Sequence, residues 1–129
     1  MKLLIDANVI ISGFTARGHS FDVIKDAAYK HEVYYTEHLL EEIQRILSTK
    51  FSLSNSVIHF AIFIIKRDLI KGKTASKVEK VCRDPDDNQI LADAAINKIE
   101  AIITGDNDLL DLGNYKGIKI ISPREYWSL

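Results

Sequence analysis

Cysteine is almost missing from this chain. Cys82 is the only one among 129 residues, which excludes an intrachain disulfide framework and a cysteine-built zinc cluster. A reducing cytoplasm is the compartment this usage implies. Long apolar runs are missing too. The longest, Val57 to Ile65, holds His59 and falls far short of the roughly 20 residues that span a bilayer, so no membrane is expected. Asp6 and Asn8 interrupt the apolar start of the chain, too early for the core of a signal peptide. Charge of one sign is scarce as well. The net charge is −1, so no global basic field advertises nucleic acid. With two prolines and six glycines there is no low-complexity segment, and no internal repeat occurs.

What is present is a soluble, globular composition, 47% hydrophobic and 27% charged. Residues 1–129 read as one domain, large enough for a core without staples. Leu3-Leu4-Ile5 is an unbroken apolar run, which suits a strand buried on both faces of a parallel sheet. Val9 to Phe14 reads as a helical turn that stops at Gly13 or in the Arg17-Gly18 loop. The spacing of Phe21, Ile24, Ala27 and Ala28 predicts a helix over 20–30. Val33-Tyr34-Tyr35 is a short strand, and Thr36 caps an amphipathic helix over 37–49. Another helix covers 55–70. Residues 78–82 are a strand or a short extended run. Asp84-Pro85-Asp86-Asp87 opens a helix reaching about Lys98, with a cap, a proline at its first position and acids in its first turn. Ala101-Ile102-Ile103 and Ile118–Ile121 are strands, and Ser122-Pro123-Arg124-Glu125 is a capping box for a terminal helical turn. Strands alternating with helices predict a three-layer α/β/α fold around a central parallel sheet.

That topology gathers acids. Asp6 and Asp106 each follow a strand, so both lie at the carboxyl edge, where open α/β sheets place their ligands. The helices after Thr36 and after Asp84 run back down the sheet, so both begin at that edge. On the first, Leu39, Leu40, Ile43, Ile46 and Leu47 form the apolar arc. Glu42 lies about 40° from Ile46 while Glu41 points away, and side chains lean toward the helix N-terminus. On the second, Asp87 falls within the arc of Ile90, Leu91, Ala94 and Ala95. Asp6, Glu42, Asp87 and Asp106 therefore converge. Unneutralised, they repel and their pKa values rise. A hard divalent cation resolves this, and oxygen ligands without cysteine suit Mg²⁺ or Mn²⁺. One or two such ions activate a water and stabilise a displaced oxygen at phosphorus. Taken singly, each acid has a plainer reading: Asp6 as a helix cap, Asp86 and Asp87 as partners of a helix dipole, Asp106 and Asp108 as turn residues.

Four motifs in order, Leu3-Leu4-Ile5-Asp6-Ala7-Asn8-Val9-Ile10, Thr36-Glu37-His38-Leu39-Leu40-Glu41-Glu42-Ile43, Asp84-Pro85-Asp86-Asp87-Asn88-Gln89-Ile90-Leu91-Ala92 and Ile103-Thr104-Gly105-Asp106-Asn107-Asp108-Leu109-Leu110, resemble the PIN-domain family. The resemblance is nearest to its small bacterial and archaeal proteins described as toxin components, and covers nearly the whole chain. It implies a metal-dependent ribonuclease with Asp6, Glu42, Asp87 and Asp106 as the acidic cluster, and an antitoxin protein as a possible partner. Asn8, Thr104 and Asp108 fall at accessory positions, with Asp108 a further candidate metal ligand. The match at the third acid is shared between Asp86 and Asp87, and helix phase favours Asp87. The expected reaction is endonucleolytic cleavage of single-stranded RNA by water attack at phosphorus, because an acidic pocket at a sheet edge reaches one backbone rather than a duplex groove.

Two rivals stand beside this reading. A haloacid-dehalogenase-like phosphatase also uses Mg²⁺ for phosphoryl transfer, but wants a second Asp two residues after Asp6, where Asn8 stands. A non-catalytic RNA- or protein-binding module of the same fold is the other. His38, one turn before Glu42, is either polar surface or a contact to substrate or metal. Residues 66–83 hold seven basic residues against two acidic ones, a local +5 against −6 in the rest of the chain. Such a run is either a solvated face or an RNA contact, with Lys71, Lys73 and Lys77 as candidates. The helix at 57–65 is apolar on more than one face, which predicts a homodimer with that helix at or near the interface.

Overall fold

The computed structural model describes residues 1–16 and 18–129. The chain forms β1 (Lys2–Ile5), α1 (Ala7–Thr15), α2 (His19–Lys30), β2 (Glu32–Tyr35), α3 (Glu37–Thr49), α4 (Asn55–Asp68), β3 (Ile70–Lys71), α5 (Pro85–Ile96), β4 (Ala101–Ile103), α6 (Asn107–Leu110), β5 (Asn114–Tyr115) and β6 (Ile118–Ile121), and closes with a 3₁₀ turn at Glu125–Ser128. The sheet order is β3-β2-β1-β4-β6-β5. Every pairing is parallel except β5 with β6. This is the expected α/β/α arrangement. Chain order reverses at β1, whose neighbours are β2 and β4, and such a switch point opens a crevice beyond the carboxyl ends of the strands.

Alternation along β1 assigns its residues to two cores. Leu3 and Ile5 pack under α1 to α4 with Val33, Ala101 and Ile103. Leu4 faces the other way, with Ile102 and Ile120, under α5 and α6. Both faces are covered, which is why the strands read as continuous apolar runs. Burying an isoleucine such as Ile103 in this way contributes about 2 kcal/mol. Asp6, Thr36, Ser54 and Asp84 cap the helices that follow them. The terminal capping box is present: Ser122 N–H donates to Glu125 at 3.1 Å and Glu125 N–H to Ser122 Oγ at 3.2 Å.

Several expectations are corrected. The helical turn over 9–14 is the longer α1; Arg17, one of its expected stops, lies outside the described residues. The helix over 55–70 ends at Asp68, because Ile70 and Lys71 pair with Tyr34 and Tyr35 as an edge strand. The helix from Asp84 ends at Ile96 rather than Lys98. Residues 78–81 belong to no regular element and Cys82 lies in a bend, so the expected strand is absent there. β5 and β6 form a hairpin whose turn, Lys116 and Gly117, has φ of 50° and 83°. That pattern of two left-handed residues is the one that matches strand twist.

Segment 73–82 lies antiparallel along α5 and is fastened by one polar stripe of that helix. The Asn97 amide both accepts from and donates to the Lys73 backbone. Asp93 accepts from Ala75 N–H at 2.6 Å, and the Gln89 amide donates to Ala75 O. Asn88 closes the upper end with Val81 and Cys82. No helix among the described residues is long and apolar enough to cross a membrane.

Candidate active site

Asp6 leaves β1 and enters α1. Its Oδ1 accepts from Ala7 N–H at 2.8 Å, and its Oδ2 accepts from the Thr104 hydroxyl at 2.9 Å. The same hydroxyl accepts from Asp106 N–H at 3.0 Å. Thr104, wholly buried at the end of β4, thus couples the first acid to the last. Asp106 in turn caps α6, accepting from Asp108 N–H.

Asp87 stands in the first turn of α5, and Asp106 is the N-cap of α6. Carboxylate oxygens of Asp87, Asp106 and Asp108 all lie within 4.8 Å of one another, an arrangement that could hold a metal ion. Asp87 is buried and its Oδ2 has no hydrogen-bond partner. Burial first, then the charges of Asp106, Asp84 and Asp6, push its carboxyl up to about 7. Burial raises the Asp6 carboxyl, the Thr104 and Ala7 hydrogen bonds oppose that, and the charges of Asp106 and Asp84 add to it. Glu42 is half-buried, and burial followed by the charges of Asp6 and Asp86 pushes it up to about 8, against a smaller opposing pull from Arg45. A carboxylate costs free energy in such a place unless a cation or a proton joins it. An unpartnered buried oxygen among acids therefore fits a hard cation, as does an all-oxygen donor set.

The other sequence candidates are distributed around this centre. Asn8 is exposed and lines a hollow of about 300 Å³ with Asp106 and Gly105. Asp86 and Asp87 separate: Asp86 turns outward to Arg45 Nη2 at 3.0 Å, while Asp87 faces the cluster. His38 Nε2 stands 3.2 Å from Asp86 Oδ1 without hydrogen-bond alignment. Lys71 Nζ is 3.8 Å from Glu37 in the first turn of α3, whereas Lys73 and Lys77 are exposed along the segment beside α5. Cys82 packs against the α5 core, and burial raises its thiol.

Sequence reasoning missed two residues. Asp84 caps α5 through Asp86 N–H, and its charge also bears on Asp6, Glu42 and Asp87. The signal was the three-residue spacing from Asp84 to Asp87, which puts both on one helix face. Arg83 Nη2 donates to both oxygens of Asp108 at 3.1 Å. It was counted only as one charge in a basic run.

The PIN-domain family model matches residues 2–108, and the chain belongs to that family. Its fold is similar to the crystal structure of VapBC2 from Rickettsia felis bound to a DNA fragment from their promoter, with a TM-score of 0.70 at 10% identity over 95% of this chain and 98% of that one. A comparison with curated proteins returns no match.

Proposed function

We propose that residues 1–129 form one metal-dependent endoribonuclease unit that cuts single-stranded RNA in the cytoplasm, as the toxin half of a toxin–antitoxin pair. The observation that carries this reading is the buried, unpartnered Asp87 Oδ2 beside the carboxylates of Asp106 and Asp108. Membership of the PIN-domain family supports it, and the likeness to VapBC2 supports an antitoxin partner.

Asp87, Asp106 and Asp108 would hold Mg²⁺ or Mn²⁺, with Asp6 and Glu42 adjoining. A bound ion of this kind supplies Lewis acidity to water and to phosphate oxygens. The chain supplies position. Thr104 locks Asp6, so one acid is fixed while Asp87 keeps an oxygen free. Water adds to phosphorus as the P–O3′ bond breaks. A carboxylate of the cluster takes a proton from that water, and a proton reaches the departing 3′ oxygen. The products carry a 5′-phosphate and a 3′-hydroxyl.

Purified protein with labelled RNA should cleave in Mg²⁺ or Mn²⁺ and stop in EDTA. Asp6→Asn and Asp87→Asn should each lower the rate by at least about 100-fold, the scale at which removal of positioned charge acts. Persistence in EDTA, or a 2′,3′-cyclic phosphate end, would reject the mechanism. The same reading includes a homodimer across α4, whose Val57, Phe60 and Phe63 are more than half exposed. Light scattering should return twice 14.6 kDa; a monomer at high concentration refutes the dimer.

A further inference from the structure

Among the described residues, the group formed by Asp87, Asp106 and Asp108 has one cation in hydrogen-bond contact, Arg83. Its placement is built into the chain. Asn88 fixes the backbone of Val81 and Cys82, and Asp84 caps α5, so Arg83 is held between two anchored neighbours. Its side chain, by contrast, is 88% exposed. An exposed pair of this kind is weak, since water screens it and two side chains must be ordered. Both Asp108 oxygens are engaged by one guanidinium nitrogen. A divalent ion drawing on Asp108 competes directly with that nitrogen and carries twice its charge.

The surroundings give the released guanidinium a task. Asp6, Glu42, Asp84, Asp87, Asp106 and Asp108 crowd one edge, and a nucleic-acid backbone brings more negative charge to it. Phosphate contacts need cations close by. Lys73 and Lys77 lie along the outer flank of α5, and Arg45 is committed to Asp86. Arg83 stands at the cluster itself.

We propose that Arg83 is a switchable phosphate contact: it neutralises Asp108 until a cation occupies the carboxylates, and then binds a backbone phosphate of the RNA. This rests on the metal-dependent reading above and adds a substrate-binding residue to it. A guanidinium suits the part because its fork of N–H donors matches carboxylate and phosphate alike. One residue thereby links the two occupancies, since the ion that takes Asp108 also frees the group that receives the substrate.

The test separates metal from RNA. Mn²⁺ titrated calorimetrically into RNA-free Arg83→Gln should bind about three- to tenfold more tightly than into wild type. A labelled single-stranded RNA, followed by fluorescence anisotropy in Ca²⁺ with its integrity checked on a gel, should bind about fivefold more weakly. Its salt slope should fall by roughly 0.7, the value for one phosphate contact on a single strand. Arg83→Lys should recover part of the RNA affinity. Opposite movement of the two affinities supports the switch. Equal losses of both overturn it and leave Arg83 as a clamp on α6. Mn²⁺ affinity unchanged in the variant, with wild type binding normally, overturns it while the metal reading stands. Wild type that binds no Mn²⁺ overturns both.

Discussion

Asp87 and Asp93 lie on the same helix, less than two turns apart, and both are buried. Asp93 is fully bonded. One oxygen accepts from Ala75 N–H and the Gln89 amide, and the other from the Thr36 hydroxyl at 3.3 Å. Those bonds tie α3, α5 and segment 73–82 together. Asp87 has an oxygen with no partner, and Asp6, Asp84, Asp106 and Asp108 are the acids around it. Burial is the same; satisfaction differs. A buried acid whose lone pairs are filled is a fastening, and one whose lone pairs are empty among like charges is a vacancy for a cation or a proton.

Removing each acid should move stability in opposite directions. Asp93→Ala strands the Ala75 N–H and the Thr36 hydroxyl and leaves the Gln89 amide with Ala75 O alone, and should destabilise the fold by roughly 3 kcal/mol in urea titration. Asp87→Asn in metal-free protein at pH 8 should instead gain about 1 kcal/mol, because a buried charge without a partner disappears. Equal losses in the two variants would erase the distinction.

A pH series sharpens it. In the folded chain Asp87 rises from an ordinary 3.8 to about 7, and Glu42 from 4.5 to about 8. The folded state therefore binds these protons more strongly than the unfolded one. Their stabilisation is fully present below about pH 4 and is lost as pH climbs through 7 and then 8. Metal-free thermal melts should show the midpoint falling across that window, less steeply in Asp87→Asn. Mn²⁺ should oppose the fall, since it replaces the lost protons. At Asp26 the sign reverses: the Tyr126 hydroxyl donates to it at 2.6 Å and holds its carboxyl low, so that contribution is lost only in acid.

The same contrast explains what could be read from the residues alone. β1 and β4 were legible because strands covered on both faces must be apolar throughout. α3 was legible from Thr36 and its apolar arc, and Asp87 from its place on the inner face of α5. The fastening stripe of Asn88, Gln89, Asp93 and Asn97 was not, because its partners are backbone groups in a segment without periodicity. β3 and β5 are two residues each, too short for any pattern to register. Asp84 was recognised as a cap, and a cap's charge reaches further than its hydrogen bond. Arg83 was hidden in a sum of charges that ignored where each one ended up.

The smallest effect concerns that sum. Lys71, Lys73 and Lys77 are exposed, and Lys71 is paired with Glu37 rather than with an acid of the cluster, so replacing all three with Gln should weaken RNA binding by about two- to fivefold and flatten its salt dependence modestly, with Mn²⁺ affinity unchanged. An unchanged slope would make the run a solvated face.

The hydrogen bond from Thr104 to Asp6 spans 98 positions, and that span has a consequence during synthesis. β1 leaves the ribosome long before its central neighbour β4. Until residues 101–108 emerge, Asp6 has no Thr104 to orient it, and Asp87 has neither Asp106 nor Asp108 opposite. A message broken or stalled before that point yields a fragment with Asp6, Glu42 and Asp87 but nothing to assemble them. The centre can form only after β4 and α6 have been made, so a chain cut before residue 101 lacks it.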